Sequence, residues 1–335
     1  MRNIVMGFDG TWNRPNQVDR DRQVPTNVVK LLRALEPGPS LLKYYSTGVG
    51  TAGTLDKVWG GVAGRGLFGN MREAWSWLGE HYRPGDRLFL FGFSRGAFTA
   101  RSLAGMLAVC GVAASRPGAG NADADEACRI YRQRDAGKRA RLGARFRHDH
   151  HCHDAIVHML GVWDTVGAMG LPTRGPMGWA TRARHGFHNV RLGTHIRHAY
   201  HALAINERRA PFAPSLWQYP VPASVETVQQ MWFAGVHSNI GGGYVDAGLS
   251  DITLMWMLEQ AQQQGLSLND NYVQRRVDPD VFGELRDSLS PVYRTPLTGL
   301  PRQREIGSGA PGEAVHLSAW ERWRAVSRPD VAPWE

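Results

Sequence analysis

The stretch Leu88-Phe89-Leu90-Phe91-Gly92-Phe93-Ser94-Arg95-Gly96-Ala97-Phe98 decides the fold class. A run of apolar, β-forming residues leads into a Gly-x-Ser-x-Gly turn, and a helical pattern follows the turn. A nucleophile elbow requires this order of strand, sharp turn and helix, because the turn exposes the serine hydroxyl above the end of the strand. We therefore predict serine-hydrolase chemistry with Ser94 as the nucleophile, in preference to a structural serine in an ordinary βα loop.

Short apolar runs alternate with helical patterns on both sides of this elbow. Strands are predicted at 4–8, 41–46, 88–93, 156–163 and 228–236. Helices are predicted at 27–35, with Thr26 as the N-cap, and at 71–82, 98–109, 199–205 and 249–264, with a charged, exposed helical excursion at 128–146. Such alternation is typical of a mostly parallel sheet with helices on both faces. The predicted fold class is α/β, similar to the α/β-hydrolase arrangement.

Length and composition allow one large core. The chain has 335 residues, of which 42% are hydrophobic, and this is enough for a single α/β domain. Neither an internal repeat nor a low-complexity linker divides the chain. We predict a single domain over residues 1–335, with its core at about 3–265 and a C-terminal segment, 266–335, that packs on it.

The sequence has no membrane or export signal that we recognise. Its apolar runs are far shorter than the ~20 residues that a membrane-spanning helix needs, and the first residues do not have the pattern of a secretory signal peptide. The three cysteines form neither a disulfide framework nor a zinc pattern. We expect a cytoplasmic protein by default, with export by a signal-independent secretion system left open.

The charge of the chain favours anionic partners. The formal net charge is +9, but the arginines form no nucleic-acid-binding motif, so we expect phospholipid head groups or an acidic protein and no nucleic acid. Residues 165–206 contain no Asp or Glu and mix arginines and histidines with large apolar residues. This composition suits a lid or a segment in peripheral contact with an anionic membrane surface. An ordinary solvated basic face explains it equally well.

A serine hydroxyl needs a base, which a carboxylate in turn orients. In a parallel sheet both partners are expected at the carboxyl ends of later strands. Asp164 follows the predicted strand 156–163, and His237 follows the predicted strand 228–236. The order Ser94, Asp164, His237 is the one found in α/β-hydrolases. We predict His237 as the base and Asp164 as the acid that orients it.

Other residues could take the role of base or acid in the same order along the chain. His316 is the fallback base, and Asp246 and Asp251 are alternative acids that turn or helix-cap roles explain more simply.

The oxyanion of an acyl-transfer intermediate needs two N–H donors. The amide of Arg95 directly follows the nucleophile and begins a predicted helix, so we expect it to be one donor. The loop after the first strand supplies the second, from Gly10 or Thr11. Asp9 in the same loop is expected to orient the turn.

Two further patterns resemble a dinucleotide-binding site and a metal site, and the surrounding residues argue against both. Residues 48–53 match Gly-x-Gly-x-x-Gly after a strand, but the glycines continue to Gly69 and no second strand carries the acidic residue of a dinucleotide site. We interpret the segment as a flexible active-site loop. The histidines and the cysteine of 148–153 have no spacing typical of a closed metal site. We expect no cofactor and no metal.

Several motifs, taken together and in order, resemble a bacterial α/β-hydrolase family of largely uncharacterised proteins. Its best-known members look like phospholipase effectors of the type VI secretion system, the first class of lipase effectors. The motifs that carry the resemblance are Phe8-Asp9-Gly10-Thr11-Trp12-Asn13, Tyr45-Ser46-Thr47-Gly48-Val49-Gly50-Thr51, Gly92-Phe93-Ser94-Arg95-Gly96-Ala97-Phe98-Thr99-Ala100-Arg101, Gly161-Val162-Trp163-Asp164-Thr165-Val166-Gly167, His201-Ala202-Leu203-Ala204-Ile205-Asn206-Glu207-Arg208-Arg209 and Trp232-Phe233-Ala234-Gly235-Val236-His237-Ser238-Asn239-Ile240-Gly241-Gly242-Gly243-Tyr244.

The resemblance covers roughly residues 3–260. It implies a Ser–His–Asp hydrolase, with glycerophospholipids as a substrate class, and the three predicted catalytic residues lie within its motifs. We therefore expect an enzyme that cleaves carboxylic esters of a lipid, a phospholipid or a small molecule. The alternative is a catalytically silent hydrolase-like domain that serves as a binding or membrane-surface module.

Overall fold

The computed structural model describes residues 1–10, 13, 15–48, 62–114, 120–167, 190–294 and 300–326. The strands in these ranges are β1 (Asn3–Phe8), β2 (Val18–Asp19), β3 (Arg22–Gln23), β4 (Leu41–Ser46), β5 (Arg87–Phe93), β6 (Val157–Trp163), β7 (Ile196–Ala204), β8 (Thr227–Phe233) and β9 (Glu313–Val315). The helices are α1 (Asn27–Ala34), α2 (Val62–His81), α3 (Arg95–Cys110), α4 (Gly120–Tyr131), α5 (Ala136–Asp149), α6 (His237–Gly241), α7 (Gly248–Gln263), α8 (Asp270–Arg276) and α9 (Leu317–Val326), and two short 3₁₀ turns cover Ala210–Phe212 and Pro291–Arg294.

Seven of the described strands form one parallel sheet in the order β4-β1-β5-β6-β7-β8-β9. The strands β2 and β3 form a separate antiparallel pair. The central strands are apolar along nearly their whole length, as expected for strands that are covered on both faces. The α/β class and the α/β-hydrolase-like arrangement predicted from the sequence are confirmed.

Alternate residues of the central strands pack into two separate cores. Leu88 and Leu90 of β5 belong to the core that α2, α3 and α4 cover. Phe89 and Phe91 of the same strand belong to the core that α1 and α7 cover. Because successive side chains of a strand point to opposite faces, one short sequence supplies both cores.

The order of the strands fixes where a ligand crevice opens. The chain leaves β1 towards α1 on one face of the sheet, and it leaves β5 towards α3 on the other face. Where the connections from two neighbouring strands diverge in this way, a crevice opens beyond their carboxyl ends. The loop after β1 and the turn after β5, which contains Ser94, lie at this position.

The prediction of a helix at 199–205 is wrong, because these residues lie in β7 and in the residues that follow it. A short run rich in alanine and leucine is compatible with either structure, and periodicity alone does not separate a buried helix from a buried strand. β7 pairs with β6 and β8 and is buried along almost its whole length. Tertiary context therefore overrides the helical tendency of alanine.

Two other helix predictions have different outcomes. Thr26 is the N-cap of α1, as predicted, and its hydroxyl oxygen accepts a hydrogen bond from the Val29 amide. The region predicted as one exposed helical excursion instead forms α4 and α5, and Ile130, Tyr131 and Phe146 are buried in the first core. These apolar residues, which lie among the many charged residues of the region, pack α4 and α5 against the core.

The C-terminal segment adds a strand that the sequence does not reveal. β9 lies parallel to β8 at the edge of the sheet, with Trp232 opposite Val315. Because β9 has only three residues, no alternation of apolar and polar residues is long enough to indicate a strand in the sequence. Gly312, just before β9, has a φ of +66°, and a Cβ there would overlap the backbone of Val228 in β8. None of the helices within the described ranges is long and apolar enough to cross a membrane.

We expect Gly312→Ala to loosen the attachment of this strand. Gly307→Ala is a matched control, because Gly307 also has a positive φ (+78°) but has no atom near its Cβ position. Both variants acquire backbone strain, while only Gly312→Ala adds a clash with β8. The free energy of unfolding in urea should fall by about 1 kcal/mol more for Gly312→Ala than for Gly307→Ala. Equal losses would contradict the close approach of Gly312 to β8.

Candidate active site

Ser94 occupies a strained turn between β5 and α3. Its backbone has φ 59° and ψ −121°, a conformation that residues other than glycine rarely adopt. The amide of Ser94 donates to the carbonyl of Trp163, at the end of the neighbouring strand, at 3.0 Å. A Cβ on Gly96 would overlap the carbonyl oxygens of Phe8 and Asp9. The glycine therefore lets α3 begin directly against the end of β1.

His237 and Asp164 both lie beside Ser94. His237 Nε2 is 2.7 Å from Ser94 Oγ, and His237 Nδ1 is 2.5 Å from Asp164 Oδ2. Ser94, His237 and Asp164 are 7%, 5% and 0% exposed, so the chain of hydrogen bonds is largely shielded from water. Since Asp164 directly follows β6 and His237 begins α6 shortly after β8, strand order brings together residues far apart in sequence.

Asp164 is held by more than the histidine. Arg304 donates from Nη1 to Asp164 Oδ1 at 2.6 Å and from Nη2 to Asp164 Oδ2 at 3.0 Å. The Ala204 amide also donates to Oδ1, at 3.1 Å. Burial by itself would raise the pKa of Asp164, but the charge of Arg304 and the interaction with His237 hold it well below its ordinary value. The carboxylate is therefore ionised at neutral pH.

The pKa of His237 is lowered from its ordinary value of 6.5. Burial is the largest cause, Asp164 opposes it, and the nearby charge of Arg209 lowers the pKa further. The imidazole is therefore neutral at pH 7 and can accept a proton. Because one ring nitrogen faces Asp164, the N–H lies on Nδ1 and the lone pair of Nε2 faces Ser94.

A second buried carboxylate fixes the backbone of the histidine. Glu207 is 1% exposed, and its Oε2 accepts a hydrogen bond from the His237 amide at 3.2 Å. Arg209 pairs with the same carboxylate at 2.8 Å, and the Ser288 hydroxyl donates to it. The ring of Phe212 contacts the His237 ring edge to face, with centroids 4.9 Å apart. These contacts hold the imidazole in one position.

Of the two described amides predicted as oxyanion donors, that of Arg95 has no acceptor within its own helix, and that of Gly10 has one in the Asp9 side chain. The amide of Arg95 is the first in α3, where no carbonyl of the same helix can accept from it. Gly10 borders Ser94, since a Cβ added to it would lie 3.1 Å from Ser94 Cβ, but its amide donates to Asp9 Oδ1 at 2.9 Å. The Gly10 amide is therefore already engaged. Thr11 lies outside the described residues.

Asp9 ties the loop after β1 to its neighbours. Its Oδ2 accepts hydrogen bonds from the hydroxyls of Thr26, at 2.7 Å, and Tyr45, at 2.9 Å. Asp9 is 3% exposed, and burial raises its pKa to about 6 even though these hydrogen bonds lower it. Asp9 therefore orients this loop through contacts on both of its carboxylate oxygens.

The alternative residues have contacts elsewhere. His316 Nδ1 lies 2.8 Å from Ser318 Oγ, and its ring stacks on Phe233. Asp251 pairs with Lys30 at 2.6 Å. Asp246 accepts from the amides of residues 248 and 284. Among the described residues, the imidazole within hydrogen-bonding distance of Ser94 Oγ is that of His237.

Other predicted features fall partly or wholly outside the described ranges. Residues 49–61 of the glycine-rich segment and residues 168–189 of the basic stretch are not described. The last residues of the glycine-rich segment, 62–69, are predicted to lie in a loop and instead lie in α2. Within the described ranges, no group of three or more His, Cys, Asp or Glu residues could hold a metal ion.

No role was assigned to Glu207 or to Arg304 from the sequence. Glu207 lies within a motif that we quoted, but nothing in the motif indicates that its carboxylate reaches the His237 amide. Arg304 lies in a segment without clear periodicity, 140 positions from Asp164. An isolated arginine in such a segment carries no local signal.

We expect Asp9→Asn to change how stability depends on pH. The ordinary pKa of 3.8 applies in the unfolded chain, and the folded value is about 6, so the folded state binds more protons between these values. The contribution of Asp9 to the free energy of unfolding of the wild type therefore decreases as pH rises from about 4 to about 6. This contribution amounts to roughly 3 kcal/mol and is absent from Asp9→Asn.

Urea unfolding at pH 4, 5, 6 and 7 measures the effect. The stability of Asp9→Asn relative to the wild type should improve across this range, while Asp21→Asn, at an exposed position, should leave the pH dependence unchanged. A constant difference between Asp9→Asn and the wild type would show that Asp9 does not titrate in this range.

Comparison with solved structures supports the fold. A crystal structure of an uncharacterized protein from Pseudomonas aeruginosa matches with a TM-score of 0.52 at 20% identity, over 83% of this chain and 49% of that chain. An esterase from the planctomycete Thermogutta terrifontis matches with a TM-score of 0.39 at 16% identity, over 79% of this chain and 82% of that chain. The similarity to the Pseudomonas protein concerns the fold alone. The TM-score of the match to the esterase is too low to support an argument.

Comparison of sequences identifies the family. The uncharacterized protein YEL023C of Saccharomyces cerevisiae is 27% identical over 239 residues, which are 63% of this chain and 32% of that protein. The chain thus spans about a third of the length of this relative and about half of the Pseudomonas protein. A family model described as the catalytic domain of Tle1-like phospholipase effectors of the type VI secretion system matches residues 2–260. Since this match covers most of the chain, the chain belongs to the family of Tle1-like phospholipase effector catalytic domains.

Proposed function

We propose that this chain is a serine hydrolase that cleaves carboxylic esters of phospholipids, with Ser94 as nucleophile, His237 as base and Asp164 as the acid that orients the base. The observation that carries the proposal is the continuous hydrogen-bonded chain from Ser94 Oγ through the imidazole of His237 to Asp164, at 2.7 Å and 2.5 Å. Family membership supports the hydrolase class and a lipid ester as substrate.

The reaction begins with proton transfer. As Ser94 Oγ attacks the ester carbonyl carbon, His237 Nε2 takes the hydroxyl proton, and Asp164 stabilises the imidazolium that forms. The imidazolium then gives the proton to the departing alcohol, and an acyl-serine remains. A water molecule, deprotonated by the same imidazole, attacks the acyl-serine; the imidazolium returns this proton to Ser94 Oγ as the bond to the acyl group breaks, and the carboxylic acid is released. The attack by Ser94 and the attack by water both use the neutral imidazole that burial favours.

Negative charge on the carbonyl oxygen requires donors that are already in place. The Arg95 amide supplies one, because it follows the nucleophile at the start of α3. The second comes from the loop after β1, which borders Ser94. Gly10, whose amide donates to Asp9, and Thr11 are the two candidates for the second donor.

The surroundings of the base favour a lipid substrate over a highly polar one. Phe212 contacts the ring of His237, and Tyr293 contacts Phe212 edge to face with centroids 6.1 Å apart. Both aromatic residues are only half-buried. These rings lie beside the base, with the Arg209 guanidinium 3.6 Å from the Phe212 ring centroid, and we propose that their half-exposed parts contact an acyl chain. The net charge of +9 favours an anionic head group.

We expect Ser94→Ala to abolish hydrolysis while the fold is kept. The wild type should hydrolyse short-chain p-nitrophenyl esters and release fatty acid from phosphatidylglycerol vesicles. The alanine variant should lose at least about 10³-fold in kcat, because it has no nucleophile. Ser267→Ala, at an exposed serine, is the matched control and should keep wild-type activity.

The possible results separate three functions. A wild type that hydrolyses none of these esters overturns the enzyme assignment and favours a binding module. Vesicle binding that survives Ser94→Ala, decreases with salt and brings no hydrolysis would indicate a membrane-surface protein. Hydrolysis of p-nitrophenyl esters without release of fatty acid would restrict the assignment to small esters.

The pH profile tests the role of His237. Because burial lowers the pKa of this histidine below its ordinary 6.5, the imidazole stays neutral, and therefore active, to more acidic pH than a free imidazole would. For the short-chain ester, kcat/KM should fall with decreasing pH, and its half-maximal point should lie below 6.5. A half-maximal point above 6.5 would contradict a buried histidine as the base.

A further inference from the structure

Arg304 lies in the C-terminal segment, outside residues 2–260 that match the family. It nevertheless contacts the carboxylate proposed to orient the base. Its side chain is 4% exposed, and both terminal nitrogens donate to Asp164, whose side chain is fully buried. Two parallel hydrogen bonds of this kind fix the plane of a carboxylate as well as its position.

The same guanidinium also binds two backbone carbonyls. Arg304 Nη1 donates to the Ala204 carbonyl at 2.9 Å, and Nη2 donates to the Phe212 carbonyl at 2.6 Å. Ala204 is the last residue of β7, and Phe212 contacts the ring of His237. One side chain therefore links the carboxylate, the adjacent strand end and the aromatic residue beside the base.

We propose that Arg304 is a positioning residue for the reaction: it holds the Asp164 carboxylate in the orientation that His237 requires, and its charge balances that of the carboxylate. The C-terminal segment thereby completes a site whose three proposed catalytic residues lie in the family-matched part. This inference rests on the proposed function.

The electrostatic argument follows from the charges that face His237. They are the carboxylates of Asp164 and Glu207 and the guanidinium of Arg209, and Arg304 acts on the imidazole through Asp164, to which it is hydrogen-bonded. With all four present, the positive and negative charges balance. Loss of Arg304 leaves an excess negative charge beside the imidazole, and this favours proton uptake by the Asp164–His237 pair. As the pH falls, His237 would then become protonated, and inactive as a base, at a higher pH than in the wild type.

Attachment of β9 keeps Arg304 in place. After Arg304 in the chain, β9 begins at Glu313 and pairs with β8, and Glu313 accepts a hydrogen bond from the Trp232 indole at 2.8 Å. The Arg302 amide donates to the Arg208 carbonyl at 2.9 Å, on the other side of Arg304 in the chain. The segment is therefore fixed on both sides of the guanidinium.

Three variants of the full chain test the proposal. Arg304→Gln removes the charge and the paired donors, and Arg304→Lys keeps the charge but cannot donate in the same bidentate way. Arg302→Gln removes a charge two residues away, at an exposed side chain. For each variant, kcat and kcat/KM for a short-chain p-nitrophenyl ester are measured from pH 4.5 to 9, together with the thermal unfolding midpoint.

For Arg304→Gln, the acid limb of kcat/KM should move to higher pH by about 1 unit or more, and kcat should fall at least about tenfold. Arg304→Lys should keep the acid limb in place with a similar loss in kcat, because the geometry is lost while the charge stays. Arg302→Gln should match the wild type. A role in stability alone would lower activity equally at all pH values and leave the limb unmoved.

The proposal fails if Arg304→Gln has the pH profile and kcat of the wild type, or if its acid limb does not move. If Arg304→Gln does not fold, the proposal is tested by the kcat of Arg304→Lys. A wild-type kcat in Arg304→Lys would overturn the positioning role. An inactive wild type would overturn the proposed function itself. An active wild type with an unaltered Arg304→Gln would overturn only the role of Arg304.

Discussion

The buried negative charge of Asp164 is the constraint on which the site depends. A carboxylate that is fully removed from water is strongly unfavourable unless charged and hydrogen-bonding partners replace the solvent. Here His237, Arg304 and the Ala204 amide supply them. These partners come from separate parts of the chain, so the site assembles only when strands, loops and the C-terminal segment are all in place. Stability and the proposed chemistry thus depend on the same contacts.

The second constraint is the close approach of α3 to the end of β1. Ser94 keeps its strained backbone because glycines on either side let the turn fit between neighbouring backbones. The N-terminus of α3 and the loop after β1 then face the same crevice, which lies where the sheet connections diverge. The position of the crevice is thus a consequence of strand order.

Much of this arrangement could be predicted from the sequence, because its signals are local. The elbow is one continuous stretch, and Asp164 and His237 could be chosen as residues that follow predicted strands. The helix predicted at 199–205 is wrong because alanine and leucine in a short run fit a buried strand equally well, and only pairing with β6 and β8 decides the outcome. The contacts of Arg304 could not be predicted, because they depend on where a segment without periodicity packs.

The central claim is that Ser94 is the activated nucleophile of this fold, and covalent labelling tests it most directly. A fluorophosphonate phosphonylates a serine whose hydroxyl a neighbouring base activates by taking its proton during attack. Tryptic cleavage after Arg87 and Arg95 yields a peptide in which Ser94 is the only hydroxyl-bearing residue, so mass spectrometry locates the label without ambiguity. We predict one phosphonyl group per chain, carried by this peptide. An unlabelled protein, or a label on another residue, would contradict the assignment.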